Sequence, residues 1–362
     1  MAIAVVKIGT SSITSERGEL DDVALTKLCD EVATARGHGH EVVLVCSGAI
    51  AAGLPALGLR ERPTDVGTLQ AIAAVGQPLL MAQLGRLLAH HDLTAGQVLL
   101  TPNDFGVRSQ YLHARETLRR LLDLGVVPVV NENDTVADDE IRYGDNDRLA
   151  ALVAHLVGAD VLVLLTDTPG LFTADPRLDA EASLIEEIVE VDAALEAVAG
   201  GTGSARGSGG MASKLSAAKI AAWSGVRAVI AGADVVGVVA DAIAAKPVGT
   251  VVHPRAERLG SRKLWIAFAR GAVGRIVVDD GARRALCVDH RSLLPAGVRD
   301  VEGTFEPDDA VEIVDPTGAP FAKGLVRYSA AQLRSVAGRR TGDLPDALPH
   351  EVVHRDDLVV LP

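Results

Sequence analysis

Residues 1–250 alternate between short unbroken apolar runs and longer stretches in which apolar positions return every three or four residues. Val42-Val43-Leu44-Val45 and Val161-Leu162-Val163-Leu164-Leu165 lack the every-other-residue polarity of a half-exposed strand. Such runs predict strands covered on both faces, as in a parallel sheet. Strands are expected at residues 3–8, 41–46, 97–100, 126–130, 161–166 and 228–230. Between them, helical spacing marks residues 22–36, with Asp21 or Asp22 placed to cap the start. It also marks 64–91, 149–157 and 213–223, and Gly76-Gln77-Pro78 is expected to break or kink the second of these four. The alternation predicts an α/β fold with a mostly parallel central sheet.

After about Phe268 the pattern shortens. Strand-like fragments at 275–278, 310–314 and 324–328 are separated by Asp279-Asp280-Gly281, Gly303 and Asp315-Pro316-Thr317-Gly318. The expected division is a first domain over 1–255, a linker over 256–272 and a small, mostly β domain with its tail over 273–362. Leu264-Trp265-Ile266-Ala267-Phe268 is expected to pack on the first domain.

Composition narrows the class. Aromatics are only 3% of the chain, so the core rests on Val, Leu, Ile and Ala. A formal net charge of −13 argues against a chain that coats nucleic acid or an anionic membrane. Cys29, Cys46 and Cys287 show no CxxC spacing, which suggests reduced thiols in the cytoplasm. Cys46 reads as a buried small hydrophobe. No unbroken apolar run approaches a membrane span, and Lys7 interrupts the N-terminus before any signal-like core forms.

Candidate chemistry gathers where strands end. In Val6-Lys7-Ile8-Gly9-Thr10-Ser11-Ser12 a lysine meets a small-residue turn whose free amides suit phosphate, although Lys7 also reads as the solvent end of a strand. Cys46-Ser47-Gly48 opens a helix, so Ser47 is an N-cap or part of an anion site. Asn131-Glu132-Asn133-Asp134 follows an apolar strand at the sheet edge where ligands bind in open α/β folds. Asp145-Asn146-Asp147 precedes an apolar helix, and capping explains one of the three residues but not all. Thr166-Asp167 follows a buried strand. Residues 199–213 form a Gly- and Ser-rich loop leading into a helix that carries Lys214; it lacks P-loop spacing, and Met211 reads locally as packing.

In chain order, Val6-Lys7-Ile8-Gly9-Thr10-Ser11, Cys46-Ser47-Gly48-Ala49-Ile50, Asn131-Glu132-Asn133-Asp134, Gly144-Asp145-Asn146-Asp147 and Gly209-Gly210-Met211 through Lys214 resemble the amino acid kinase family. Within it they resemble the branch that phosphorylates free glutamate. Residues of about 273–350 resemble a PUA domain, and 352–359 the ending of that branch, so the likeness runs nearly the full chain. Ser204-Ala205-Arg206 departs from the more uniform Gly-Thr-Gly run of the family.

The resemblance implies an amino acid kinase-like sandwich with a small PUA-like C-terminal domain. It implies ATP-dependent phosphorylation of the γ-carboxylate of L-glutamate to L-glutamyl 5-phosphate, the first step of proline biosynthesis. It assigns Lys7 and Lys214 to the transferring phosphoryl group and Asp147 to orienting them. Ser47, Gly48, Asn131, Asp134 and Asn146 fall to glutamate, with Asp134 accepting its ammonium. Lys7, Thr166, Asp167, Ser208, Gly209, Gly210, Met211, Ala212, Ser213 and Lys214 fall to ATP. Mg²⁺ is expected to bridge phosphate oxygens without an all-protein cage. Proline as feedback inhibitor, glutamate-5-semialdehyde dehydrogenase as partner enzyme and a homo-oligomer are also implied.

Two rivals stand beside this reading. An acetylglutamate kinase-like enzyme would take a substrate without a free ammonium and would not need Asp134. An RNA-binding regulator acting through the PUA-like domain would want a basic footprint, yet from Arg270 onward there are 12 Lys and Arg against 15 Asp and Glu.

Overall fold

The apolar runs form strands β1 (Ile3–Ile8), β2 (Glu41–Cys46), β3 (Ala95–Leu100), β4 (Val127–Glu132) and β5 (Val161–Thr166). Short β6 (Glu187–Ile188), β7 (Arg227–Gly232) and β8 (Thr250–Val252) complete this set. The computed structural model describes every residue except 16–18, 137–145, 177, 180, 200–209, 257, 346, 347 and 362. Among the described residues the strands form one sheet in the order β3-β4-β2-β1-β5-β7-β8-β6, parallel throughout except for the β7–β8 pair. Val42 to Val45 and Val161 to Leu165 are buried, as a sheet covered on both faces requires.

Register matters for function. Ile8 lies beside Cys46 on one side and Leu165 on the other. The three central strands therefore finish level, and Lys7, Ser47 and Thr166 arrive at the same edge.

The helices of this unit are α1 (Thr10–Ile13), α2 (Asp22–Gly37), α3 (Ala49–Ala56), α4 (Val66–Ala89), α5 (Pro102–Gly106), α6 (Arg108–Asp123), α7 (Asn146–Val157), α8 (Ala193–Ala199), α9 (Met211–Trp223) and α10 (Val238–Ile243). Asp21 caps α2, accepting from the amides of Val23 and Ala24.

The expected break at Gly76-Gln77-Pro78 does not occur, and α4 runs through it. Pro78 and Ala74 both lie on the exposed face, so the carbonyl that Pro78 leaves without a helical donor is on the water side. Gly76 serves a different purpose. A side chain there would run into the backbone of Ala49 and Gly53, and one at Gly53 into the backbone of Ile72. The two glycines let α3 and α4 touch backbone to backbone. By length and composition α4 could also cross a membrane, which a count of unbroken apolar runs misses. In the fold its Leu69, Ile72, Leu80, Leu84 and Leu88 are buried, together with the polar Gln77.

The chain divides into two compact units, Met1–Arg258 and Leu259–Pro362. The second holds β9 (Gly274–Val278), β10 (Val298–Gly303), β11 (Ala310–Val314), β12 (Pro320–Val326) and β13 (Val353–Val360) in the order β10-β9-β11-β12-β13. Helices α11 (Ser261–Leu264), α12 (Asp280–Cys287) and α13 (Ala330–Val336) accompany them, the last with a Ser329–Gln332 capping box. Phe305 and Tyr328 are the largest fully buried side chains of its core.

The expected linker over 256–272 is corrected here. Residues 261–269 are helical, α11 followed by a π-helical turn at Trp265–Ala269, and they pack on β12 and β13 of the second unit. Lys323 Nζ donates to the carbonyls of Ala267 (3.2 Å) and Arg270. Arg262 pairs with Asp357 at 2.6 Å. The apolar run 264–268 therefore belongs to the second unit and not to the first, because β12 and β13 offer it a matching face.

Candidate active site

Six segments deliver polar side chains to the C-terminal edge of the first sheet: the ends of β1, β2, β4 and β5, and the first turns of α7 and α9. Lys7 is the penultimate residue of β1 and only 4% exposed. Its Nζ lies 2.5 Å from Asp147 Oδ1. Lys214, on the first turn of α9 and 5% exposed, lies 3.3 Å from Asp147 Oδ2. Ser213 Oγ donates to the same oxygen at 2.6 Å. One fully buried carboxylate thus holds two buried ammoniums.

Burial alone would push the Asp147 carboxyl up. The charges of Lys7 and Lys214, with hydrogen bonds from Lys7 and Ser213, outweigh burial and hold it below its ordinary value. For Lys214 the balance goes the other way. Burial pushes its ammonium down and Lys7 adds to that, while Asp147 only partly compensates.

A second, uncharged set adjoins the first. Asn146 Nδ2 donates to Ser47 Oγ at 2.8 Å and to Asn131 Oδ1 at 2.9 Å. Asn131 Oδ1 also accepts from the backbone amide of Glu132 at 2.8 Å, and its Nδ2 donates to Gln77 Oε1 at 2.8 Å. Among the described residues, Asn146 Oδ1 and Gln77 Nε2 are buried without a hydrogen-bond partner. Ser47 does not cap α3. The capping residue is Gly48, whose φ of 112° is left-handed and suits glycine. A side chain at Gly48 would also press on Ile13.

Asp134 follows β4 in a turn. Burial pushes its carboxyl up to about 6, and the Arg62 guanidinium only partly offsets this. Thr166 Oγ1 donates to Asp167 Oδ1 at 3.1 Å at the end of β5. Both line a cavity of about 280 Å³ together with Ser11, Gly210, Met211 and Lys214; Leu171, Phe172, Pro176 and Val198 supply its apolar wall. α9 begins at this cavity, capped by Gly210 without a side-chain bond, and the Gly210 carbonyl accepts from the amides of Ser213 and Lys214. The thiol of Cys46 is fully buried and pushed up to about 12, which leaves it inert.

Comparison with known proteins follows the same two-unit division. The amino acid kinase family model matches residues 2–232, and the PUA domain model residues 274–346. Glutamate 5-kinase of Moorella thermoacetica is 46% identical over 361 residues, covering 99% of this chain and 96% of that protein. Glutamate 5-kinase of Salinispora arenicola is 48% identical, with 99% and 97% covered. That of Stutzerimonas stutzeri is 47% identical over the same shares.

The chain belongs to the glutamate 5-kinase family.

Of the residues expected at such a kinase site, Lys7, Asp147, Ser213 and Lys214 form one cluster, and Ser47, Asn131 and Asn146 form the adjoining one. Thr166, Asp167, Gly210 and Met211 line the cavity. Ala212 has an exposed side chain and does not line it. Ser208 and Gly209 lie outside the described residues, as do Gly144, Asp145 and Ser204-Ala205-Arg206. Two details escaped sequence reasoning. Ser213 spends its hydroxyl on Asp147. Gln77 stands behind Asn131, and its signal was a lone amide inside an otherwise apolar stretch of α4.

Proposed function

We propose that this member of the glutamate 5-kinase family transfers the γ-phosphoryl group of ATP to the γ-carboxylate of L-glutamate, giving ADP and L-glutamyl 5-phosphate, the first step of proline biosynthesis. The observation that carries the reading is the buried Lys7–Asp147–Lys214 cluster at the sheet's C-terminal edge. Two desolvated cations sharing one anion favour the arrival of a further anion, and ligands enter open α/β folds at this edge.

The nucleophile needs no base, because a glutamate side chain with an ordinary pKa of about 4.3 is already ionised at neutral pH. A carboxylate oxygen attacks the γ-phosphorus, and the bond from that phosphorus to the β–γ bridging oxygen breaks. The electron pair leaves with ADP. Catalysis then consists of positioning and of stabilising charge on the transferring oxygens. Lys7 and Lys214 supply that charge, and Asp147 holds both ammoniums in place. The first amides of α9 favour phosphate. The apolar wall of the cavity suits the nucleoside.

Asp134 accepts the α-ammonium of glutamate. Burial raises its pKa, and Arg62 only partly offsets this, so a further cation would be welcome there; a free amino acid provides one and an N-acetylated one does not. Ser47 and Asn146 complete the glutamate subsite. Mg²⁺ supplied with ATP would neutralise phosphate charge. The exposed carboxylate of Asp167 at the cavity rim fits an ion that keeps several of its waters. Cytoplasmic location, proline feedback, assembly into a homo-oligomer and a partnership with glutamate-5-semialdehyde dehydrogenase belong to the same proposal through family likeness. ATP consumption measured side by side with glutamate, aspartate and acetylglutamate tests the substrate. Turnover is expected with glutamate, and faster turnover with acetylglutamate would overturn the reading.

A further inference from the structure

The hydrogen bonds behind the proposed glutamate subsite can be assigned a direction from one atom. The backbone amide of Glu132 can only donate, so the Asn131 atom facing it at 2.8 Å must be the carbonyl oxygen. That oxygen also faces Asn146, which must therefore present its NH₂ group. The NH₂ group of Asn146 then donates to Ser47 Oγ as well, leaving the Ser47 proton free to point elsewhere. Asn146 Oδ1 remains a buried acceptor without a partner among the described residues. The subsite therefore offers an incoming molecule one hydroxyl donor and one amide acceptor, a match for a carboxylate and an ammonium.

This polarity has a weak point. Asn131 is 1% exposed, and its NH₂ group must find an acceptor inside the protein. Gln77 Oε1 provides one at 2.8 Å. Without it, that NH₂ group is left to compete for another acceptor, and Asn146, already bonded to the Asn131 side chain, holds a free one in Oδ1, the acceptor that the substrate ammonium would use.

We propose that Gln77 is a positioning residue for glutamate: by holding the Asn131 NH₂ group, it keeps Asn146 Oδ1 available to the substrate. Gln77 touches neither the phosphates nor the reacting carboxylate in this scheme. Its loss should be felt in glutamate binding and not in ATP binding. The inference rests on the assignment of Ser47, Asn146 and Asp134 to glutamate.

The test compares Gln77→Met, which keeps the length of the side chain and removes the acceptor, with Gln77→Glu, which keeps a carboxyl oxygen in its place. In the full chain, Gln77→Met should raise the KM for glutamate roughly tenfold, the scale of one buried hydrogen bond lost, while the KM for ATP stays within about twofold. Gln77→Glu should remain within about twofold of wild type for both substrates. Because Gln77 acts through Asn131, adding Gln77→Met to Asn131→Ala should change the KM for glutamate no further. Equal rises in both KM values, no rise at all, or a full additional effect in the double variant would each overturn the proposal. So would a Gln77→Glu variant as impaired as Gln77→Met, and its KM decides the matter even where Gln77→Met does not fold. Wild-type protein assayed in parallel separates the two levels. Failure to phosphorylate glutamate removes the subsite and this inference with it, whereas normal wild-type turnover with an unaffected Gln77→Met removes the inference alone.

Discussion

Asn146 and Asp147 are neighbours in the first turn of α7, yet they anchor opposite kinds of chemistry. Asp147 organises charge. It is fully buried, engages Lys7, Lys214 and Ser213, and its carboxyl is held below its ordinary value. Asn146 organises neutral amides and hydroxyls, a chain from Gln77 through Asn131 to Ser47 in which direction matters and net charge does not. A developing phosphoryl charge is stabilised by fixed charges placed beforehand, so damage to the ion cluster should appear in kcat. A zwitterionic amino acid is recognised by donor and acceptor placement, so damage to the amide chain should appear in KM.

The sharpest way to break this contrast is to remove the anion of the first set. Asp147→Ala leaves two buried ammoniums without their shared carboxylate and should cost about 3–5 kcal/mol of stability, measured by urea unfolding. The linkage has a definite sign. Because folding lowers the Asp147 pKa, its contribution is complete above the unfolded value of 3.8 and is lost as pH falls through the lower folded value. An Asp147→Ala protein as stable as wild type would show that the lysines do not depend on it.

Next in size are the lysines. Lys7→Ala and Lys214→Ala should each lower kcat by roughly 10²-fold or more while the protein stays folded. Normal turnover in either variant would take that lysine out of the mechanism.

A smaller effect sharpens the recognition side. With Asp134 titrating at about 6, the KM for glutamate should climb as pH falls below that value, by about tenfold per unit once the group is largely protonated. The side chain of free glutamate titrates near 4.3, well below this window, so the inflection belongs to the enzyme. Asp134→Asn should raise the KM at neutral pH and remove the inflection. Survival of the inflection in that variant would place the titration elsewhere.

The smallest effect concerns the second unit. A chain ending at Arg258 should fold and keep its kcat, since the described residues of both sets lie within Met1–Arg258. A chain ending at Arg270 should fare worse, because it keeps α11 and the π-helical turn without β12 and β13 and uncovers Leu264 and Ile266. Thermal melts and kinase assays on the two chains check this, and loss of activity in a folded 1–258 protein would tie the second unit to the chemistry.

Much of this was legible from the chain. Strands buried on both faces advertise themselves as unbroken Val, Leu and Ile, and the polar residues at their ends locate the working edge. Strand β10 was not legible: its sequence, Val298-Arg299-Asp300-Val301-Glu302-Gly303, buries only two side chains, so tertiary pairing and not patterning makes it a strand. Short β6 and β8 escaped because two or three residues carry no periodicity. The linker was misplaced because an apolar run such as 264–268 does not say which neighbour will cover it. Within the site, residue types flagged Lys7, Asp147 and Lys214 one by one, and only the family resemblance brought them together. No pattern in one dimension could say that Ser213 would turn to Asp147, that Ser47 would leave the capping role to Gly48, or that Gln77 would stand behind Asn131.

The bare contact of α3 and α4 at Gly53 and Gly76 has a mechanical consequence. Ser47 leads into α3 by way of Gly48, and Gln77 follows Gly76 directly in α4, so both ends of the amide chain ride on one welded block. A helix pair spaced by side chains can slide as rotamers adjust; one spaced by backbone has no such slack. The spacing between Ser47 and Gln77 is therefore set by backbone contact and not by rotamers. A single added carbon at either glycine would jack the helices apart and stretch the chain at both ends. Room for a bulkier substrate would therefore have to come from elsewhere in the site.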